Sequence, residues 1–329
     1  KFNCHSERIL VIMAIRITTT LLLLILAILM ANPAQATCLR NAAGAIITDA
    51  DGVDLLVNDS GGTTDQCQEL PDNYLIKFFK FGICTADPMN AAGNPNFSSC
   101  AFMLNNDVGI DHVIKMPNEG SLPTGDFDIP PGTYTHMVGV MSNRFGIKHT
   151  ETFSEALRGL TNSGTTCWSI ADKVTNYTNE TVNNTTNTHD ATATDNAPST
   201  NTLECGSASD ADPGFSYEVI NVFSQACSSW DGYWDSGAGR TMSNGTAEAK
   251  ILKTDESAAT ACTDGTKMLW VVQWTSPKVI TKTSQFSLEF KLTDSVSVDL
   301  GDASGVGQAV KMGADPVTSI LTVTEPNTD

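Results

Sequence analysis

The chain reads as an all-β protein, an antiparallel sandwich arranged as two β lobes joined by a low-complexity Asn/Thr-rich segment. Three observations lead there. Apolar residues alternate with polar ones across most of residues 37–329, and Val, Ile, Thr, Phe and Tyr gather between breaks of Gly, Pro, Asn and Asp. No segment sustains a 3.6-residue apolar period over three turns.

Taken in order, the first strand is Tyr74 to Ile83. Thr133 to Met141 alternates and follows Ile129-Pro130-Pro131-Gly132, where proline fixes φ and glycine relieves the bend. Glu151 to Leu160 is the one short helical candidate. Leu269 to Trp274 and Val317 to Thr324 are further strands. The clearest is Phe286 to Leu292: Phe286, Leu288, Phe290 and Leu292 share one face, and Ser287, Glu289 and Lys291 the other. Val296, Val298 and Leu300 keep that parity, so this region is either one bulged strand or two strands around a turn at Thr293 to Ser295.

Between Val174 and Thr202 the composition turns to Asn, Thr, Asp and Ser with almost no large apolar side chains. Such a stretch cannot bury enough surface to offset its ordering entropy. It is expected to be a mobile loop or linker, 174–202, between a sandwich lobe, 37–173, and a second β lobe, 203–329. A single sandwich with a long insertion is the alternative. Asn176, Asn179, Asn183 and Asn184 each begin an Asn-x-Thr pattern, a match that an Asn/Thr-rich run produces by chance.

Residues 1–36 stand outside the fold. Leu21 to Met30 is an unbroken apolar run preceded by Arg16 and followed by Ala34-Gln35-Ala36, which reads as a signal peptide cleaved after Ala36 and too short for a comfortable membrane span. Met13 reads as the initiator, with Lys1 to Ile12 upstream of it. Cys4 then drops out, leaving Cys38, Cys67, Cys84, Cys100, Cys167, Cys205, Cys227 and Cys262. An even count behind an export signal reads as disulfides, and no close Cys-x-x-Cys pair offers a zinc site. Sequential pairing is the expectation. Cys84 with Cys100 is its firmest member, closing a short polar loop between apolar segments, and Cys167 with Cys205 would staple the base of 174–202.

The chain carries 37 acidic against 19 basic residues, a net of −18, and the segment before Thr37 removes more bases than acids. That balance repels phosphate backbones and disfavours nucleic acid and anionic membranes as partners. It is compatible with divalent cations, cationic partners or simple solubility.

Tyr74-Leu-Ile-Lys-Phe-Phe-Lys-Phe-Gly-Ile-Cys84, Ser99-Cys100-Ala-Phe and Ile129-Pro-Pro-Gly-Thr-Tyr-Thr-His136 resemble a loose group of uncharacterised exported bacterial proteins. The resemblance covers the first lobe and implies export and a β fold, with no activity attached.

No Gly-x-Ser-x-Gly elbow, His-Glu-x-x-His helix or phosphate loop is present, so no catalytic residue is named. His112, His136, His149 and His189 carry no partner at an informative spacing. Asp49, Asp51 and Asp54 surround a glycine and could aim oxygens at calcium, the one cofactor the sequence suggests, although an Asp/Gly turn between two strands is the preferred reading. Trp230, Asp231, Tyr233, Trp234 and Asp235 combine flat aromatic faces with hydrogen-bond acceptors, a pattern suited to stacking on sugar rings. Burial of the tryptophans in the core is the competing reading. The function expected is that of a secreted or cell-surface structural or interaction protein that associates with itself or with other surface proteins. Periplasmic residence is also compatible, and glycan binding or cleavage at the Trp230 loop is the alternative.

Overall fold

The computed structural model describes residues 37–48, 55–56, 63–64, 66–89, 94–115, 128–176, 182–183, 188–189, 203–219, 245–259, 265–292, 295–301, 308–314 and 317–324. These residues form strands and turns and no helix. In order they are β1 (Leu55–Leu56), β2 (Thr63–Thr64), β3 (Gln66–Glu69), β4 (Asn73–Cys84), β5 (Cys100–Lys115), β6 (Gly132–Ser142) and β7 (Arg144–Lys148). Then come β8 (Thr150–Arg158), β9 (Ser163–Ser169), β10 (Val174–Asn176), β11 (Val182–Asn183), β12 (Thr188–His189), β13 (Leu203–Gly206) and β14 (Ser216–Val219). The last are β15 (Gly245–Leu252), β16 (Lys267–Ile280), β17 (Gln285–Lys291), β18 (Val296–Gly301), β19 (Gln308–Ala314) and β20 (Thr318–Thr324).

Eight of these make the main sheet, ordered β10-β14-β7-β4-β6-β16-β15, with β5 on the other side of β4. Their registers collapse the eight into five rows. β6 and β7 are one line of chain broken at Asn143, pairing along β4 from Cys84↔His136 to Asn73↔Lys148. β16 lies beside β6 and β14 beside β7, so they share the next row, and β15 and β10 close it. All pairs are antiparallel except β10 with β14, which is parallel. The sheet therefore takes strands from both sides of 174–202.

The second layer is built from β13-β9-β8, β19-β18-β3 and the β17-β20 hairpin. It packs on one face of the main sheet. Tyr74, Ile76, Phe78, Phe145, Ile147 and Trp270 from the sheet meet Phe153, Leu157, Phe290, Val296, Val298 and Leu321 from the second layer. The alternation read at Phe286 to Leu292 holds, with Phe290 buried and Ser287 and Glu289 exposed. Val296 to Leu300 resolves as a separate strand, because β18 pairs with β3 and β19 whereas β17 pairs with β20.

On the opposite face a smaller cluster covers one end. Cys84, Val138, Val140, Leu252, Leu269 and Val271 pack with Phe79, Met89, Phe97 and Phe102 beneath the loop that the Cys84–Cys100 disulfide closes. The Tyr134 hydroxyl donates to Pro130 O at 2.8 Å and fixes the entry into β6, which explains the Pro-Pro-Gly turn in front of it.

One expectation is corrected. Glu151 to Leu160 is not helical; Thr150–Arg158 is strand β8, paired to β9 with a register shift between Thr152 and Leu157. Buried Glu151, Phe153 and Leu157 are spaced two and four apart, which fits both periods, and the bulge blurred the alternation that would have distinguished them.

Candidate functional site

The constellation richest in chemistry lies where the start of the described chain meets the second layer. Asn41 to Gly44 forms a tight turn: Asn41 Oδ1 accepts from the Ala43 and Ala45 amides at 2.9 and 3.0 Å, and Gly44 takes φ +85°, which its missing Cβ permits. The turn brings Arg40 back over β8. Ile46 donates its N–H to Thr152 O at 2.8 Å and accepts from Ser154 N at 2.8 Å, and Cys38 is bonded to Cys67 of β3.

Arg40 forks onto Glu151, Nη1 to Oε2 at 3.0 Å and Nη2 to Oε1 at 2.7 Å, and Nη2 also reaches Glu69 Oε2 at 2.8 Å. Glu151 Oε1 in turn meets His149 Nε2 at 3.0 Å, and His149 Nδ1 lies 3.6 Å from Asp72 Oδ2. Three carboxylates thus share one guanidinium and one imidazole. His149 and Glu151 are 2% and 5% exposed, so these charges interact where water screens them little.

The Asp72 N–H also points at His149 Nδ1, at 3.3 Å, a contact that suits a neutral ring. The flanking carboxylates suit a protonated one, and their full charges outweigh a single amide dipole. Burial pushes the imidazole toward its neutral form, but the bonds to Asp72 and Glu151 overcome it and raise the pKa to about 9. Burial likewise works against the charge on Glu151, and the bonds from His149 and Arg40 win, holding it below the ordinary carboxylate value. Asp72 is lowered on the same balance, through His149 and the Thr150 amide. Glu69 goes the other way: burial dominates over its single contact with Arg40, with Glu151 as a like charge nearby, so its pKa rises.

Chemically, this imidazole faces a carboxylate from each ring nitrogen. The serine hydroxyl beside it, Ser169 Oγ, accepts from the His149 backbone N–H at 3.0 Å and donates to Gly214 O at 2.7 Å. The cluster ties residues 37–46, β3, the Asp72 turn and β8 together, as a clamp does.

A second ion cluster sits under the smaller core. Glu256 takes a left-handed conformation, φ +67°, in the turn after β15, and from it accepts bonds from Lys80 of β4 and from Lys267 of β16, the latter at 3.1 Å. The Lys267 ammonium also lies 4.1 Å from the centroid of the Phe79 ring. Burial opposes ionisation of Glu256, and the two lysines lower its pKa in spite of that.

Of the residues singled out in the sequence, Cys38–Cys67, Cys84–Cys100 and Cys167–Cys205 are disulfides, in the sequential order expected. Cys227 and Cys262 lie outside the described residues, as do Asp49, Asp51 and Asp54 and the aromatic loop Trp230, Asp231, Tyr233, Trp234 and Asp235. Among the described residues no group of three or more His, Cys, Asp or Glu is placed to hold a metal ion. His136 is buried, contacts Thr135 Oγ1 at 2.7 Å and has its pKa lowered by burial. His112 packs against Phe78 and Phe290.

Sequence reasoning missed the clamp. The available signal was His149-Thr150-Glu151: two residues apart on an extended chain, the imidazole and carboxylate fall on one face. Reading helix from Glu151 onward hid it.

No family model matches the chain, and comparisons with curated proteins and with solved structures likewise find no match.

Proposed function

We propose that this is an exported, non-catalytic β-sandwich that works outside the cytoplasm as a structural or interaction subunit, associating with copies of itself or with other surface proteins. The observation that carries this reading is the clamp. His149, flanked by two carboxylates in the arrangement from which acid–base chemistry would be built, spends both ring nitrogens on internal partners and fastens residues 37–46 to the second layer. Three disulfides, of the kind formed in oxidising compartments, support it by stapling β3, the β4–β5 loop and the β9–β13 pair. The signal-like segment before Thr37 agrees with that placement.

The test is the size of the purified protein by light scattering and electron microscopy, with and without calcium, together with its intact mass before and after reduction. Assemblies larger than the monomer and a chain beginning at Thr37 without free thiols are expected. A monomer that binds sugars, or cysteines that alkylate without reduction, would overturn the reading.

A further inference from the structure

The three disulfides differ in how easily a reagent can touch them. Cys84–Cys100 and Cys167–Cys205 each join residues that stand directly opposite on antiparallel strands, and Cys38–Cys67 ties residues 37–46 to β3. Cys38, Cys67, Cys84, Cys167 and Cys205 are buried, none more than 2% exposed. Among the described cysteines Cys100 alone is partly exposed. The topology accounts for this. Cys84 lies on β4 between β5 and β6, whereas β5 pairs with β4 and with no other described strand. A thiolate must touch one sulfur to displace the other, so access decides which bond exchanges.

The buried side of this bond has a polar neighbour. Cys84 stands opposite His136 of β6 as well as Cys100 of β5, so the three side chains share one face of the sheet. Thr135 Oγ1 lies 3.1 Å from Thr85 O, a carbonyl that can only accept, so the hydroxyl spends its proton there. Its 2.7 Å contact with His136 Nδ1 then requires the ring to donate from that nitrogen, leaving Nε2 as the acceptor. Burial lowers the pKa of His136 and keeps the ring in this neutral form. A thiol released at Cys84 thus finds an acceptor on the next strand, and stabilising the reduced form makes a disulfide easier to reduce. The mouth of the loop also holds without the bond: Thr85 N–H donates to Ser99 O at 3.0 Å, Ser99 Oγ to Ala86 O at 3.2 Å and Asn96 N–H to Pro88 O at 3.0 Å.

We propose that Cys84–Cys100 is a site of thiol–disulfide exchange with an external dithiol, Cys100 being the sulfur attacked. The first thiolate of the dithiol bonds to Cys100 Sγ, the Cys84–Cys100 bond breaks, and its electron pair leaves on Cys84 Sγ, which takes a proton from solvent. The second thiolate then attacks its own partner sulfur in the mixed disulfide, closing the dithiol into a disulfide and releasing Cys100, which is protonated in turn. Two electrons pass from the dithiol to the protein, and two thiols replace one disulfide. Cys38–Cys67 and Cys167–Cys205 stay closed. The exchange acts on the loop over the smaller core, where Phe97 and Phe102 pack with Val138, Val140 and Leu269.

The full chain, any free thiols first blocked with N-ethylmaleimide, is exposed to dithiothreitol without denaturant and quenched at intervals with iodoacetamide. Peptide mass spectrometry reads each cysteine, and circular dichroism follows the fold. Labelling of Cys84 and Cys100 at least about tenfold faster than Cys38, Cys67, Cys167 and Cys205, with the folded signal intact, is expected. With glutathione, a monothiol, in place of dithiothreitol, the trapped mixed disulfide is expected on Cys100 and the alkyl group on Cys84. Equal rates for the three bonds, earlier opening of either buried one, or opening of Cys84–Cys100 only as the folded signal is lost would each overturn the proposal. Glutathione trapped on Cys84 overturns the assignment of the attacked sulfur.

Discussion

The two ion clusters invite comparison because their plans match and their chemistry differs. Each sets one glutamate, buried at Glu151 and partly buried at Glu256, between two cations that reach it from different segments: Arg40 and His149 on Glu151, Lys80 and Lys267 on Glu256. The first holds residues 37–46 on the second layer, and the second holds a turn on the opposite face of the main sheet. The first includes a histidine and two further carboxylates, whereas the second has only lysines and one acid. Equal connectivity therefore gives unequal dependence on pH and unequal cost of disruption.

The largest difference is expected when each glutamate loses its charge. Glu151→Gln leaves the His149 imidazolium, its side chain 3% exposed, against Asp72 alone and a partly exposed Arg40 against Glu69, and breaking a buried pair by removing one partner costs about 3 to 5 kcal/mol. Glu256→Gln strands two ammonium groups, but the Lys80 side chain keeps 16% exposure to water and Lys267, at 6%, keeps its contact with the Phe79 ring. A loss of about 1 to 3 kcal/mol is expected there. Urea denaturation of both variants measures the gap, and equal losses would erase the distinction between the clusters.

The second difference lies in pH. The folded pKa of His149, about 9, is above its ordinary value of 6.5, so its stabilisation is complete below pH 6.5 and disappears as pH rises through 9. That shift corresponds to roughly 3 kcal/mol. Glu151, Asp72 and Glu256 are lowered, so their contributions are present above their ordinary carboxylate values and fade as pH falls below them. Glu69, raised by burial, runs the other way and is relieved of part of its penalty in acid. Stability measured from pH 3 to 10 should fall on both limbs. His149→Gln should flatten the alkaline limb, and Glu256→Gln should soften only the acid one. An unchanged alkaline limb in His149→Gln would show that the clamp does not hold its proton.

What could be read from the sequence was whatever depends on short-range pattern. Alternation at Phe286 to Leu292 and Tyr74 to Ile83, the Pro-Pro-Gly turn and the order of disulfide pairing are local, because period and loop length set them. The five-row sheet was not legible, since pairing β16 with β6 and β14 with β7 brings together residues far apart in the chain that no spacing announces. The clamp failed for two reasons. Arg40 and Glu151 are 111 residues apart, and the local clue at His149 to Glu151 was overridden by a helical reading of a bulged strand.

The smallest effect concerns backbone conformation and asks what the Glu256 turn is for. Among the described residues two non-glycine residues have positive φ, Asp172 at 60° and Glu256 at 67°. Either would be relieved by glycine, which enters that region without a Cβ clash but loses more entropy on folding, so the bare backbone change is worth a few tenths of a kcal/mol. Asp172 donates its N–H to Phe215 O, and a glycine keeps that bond. Asp172→Gly is therefore expected within about 0.5 kcal/mol of the parent, on the stabilising side. Glu256→Gly makes the same backbone change while deleting the acceptor of Lys80 and Lys267, so it should be destabilising despite the relief. Paired thermal melts read the two signs. If both variants gained stability, the left-handed turn at Glu256 would owe nothing to the lysines, and the second cluster would be a consequence of the turn rather than its reason.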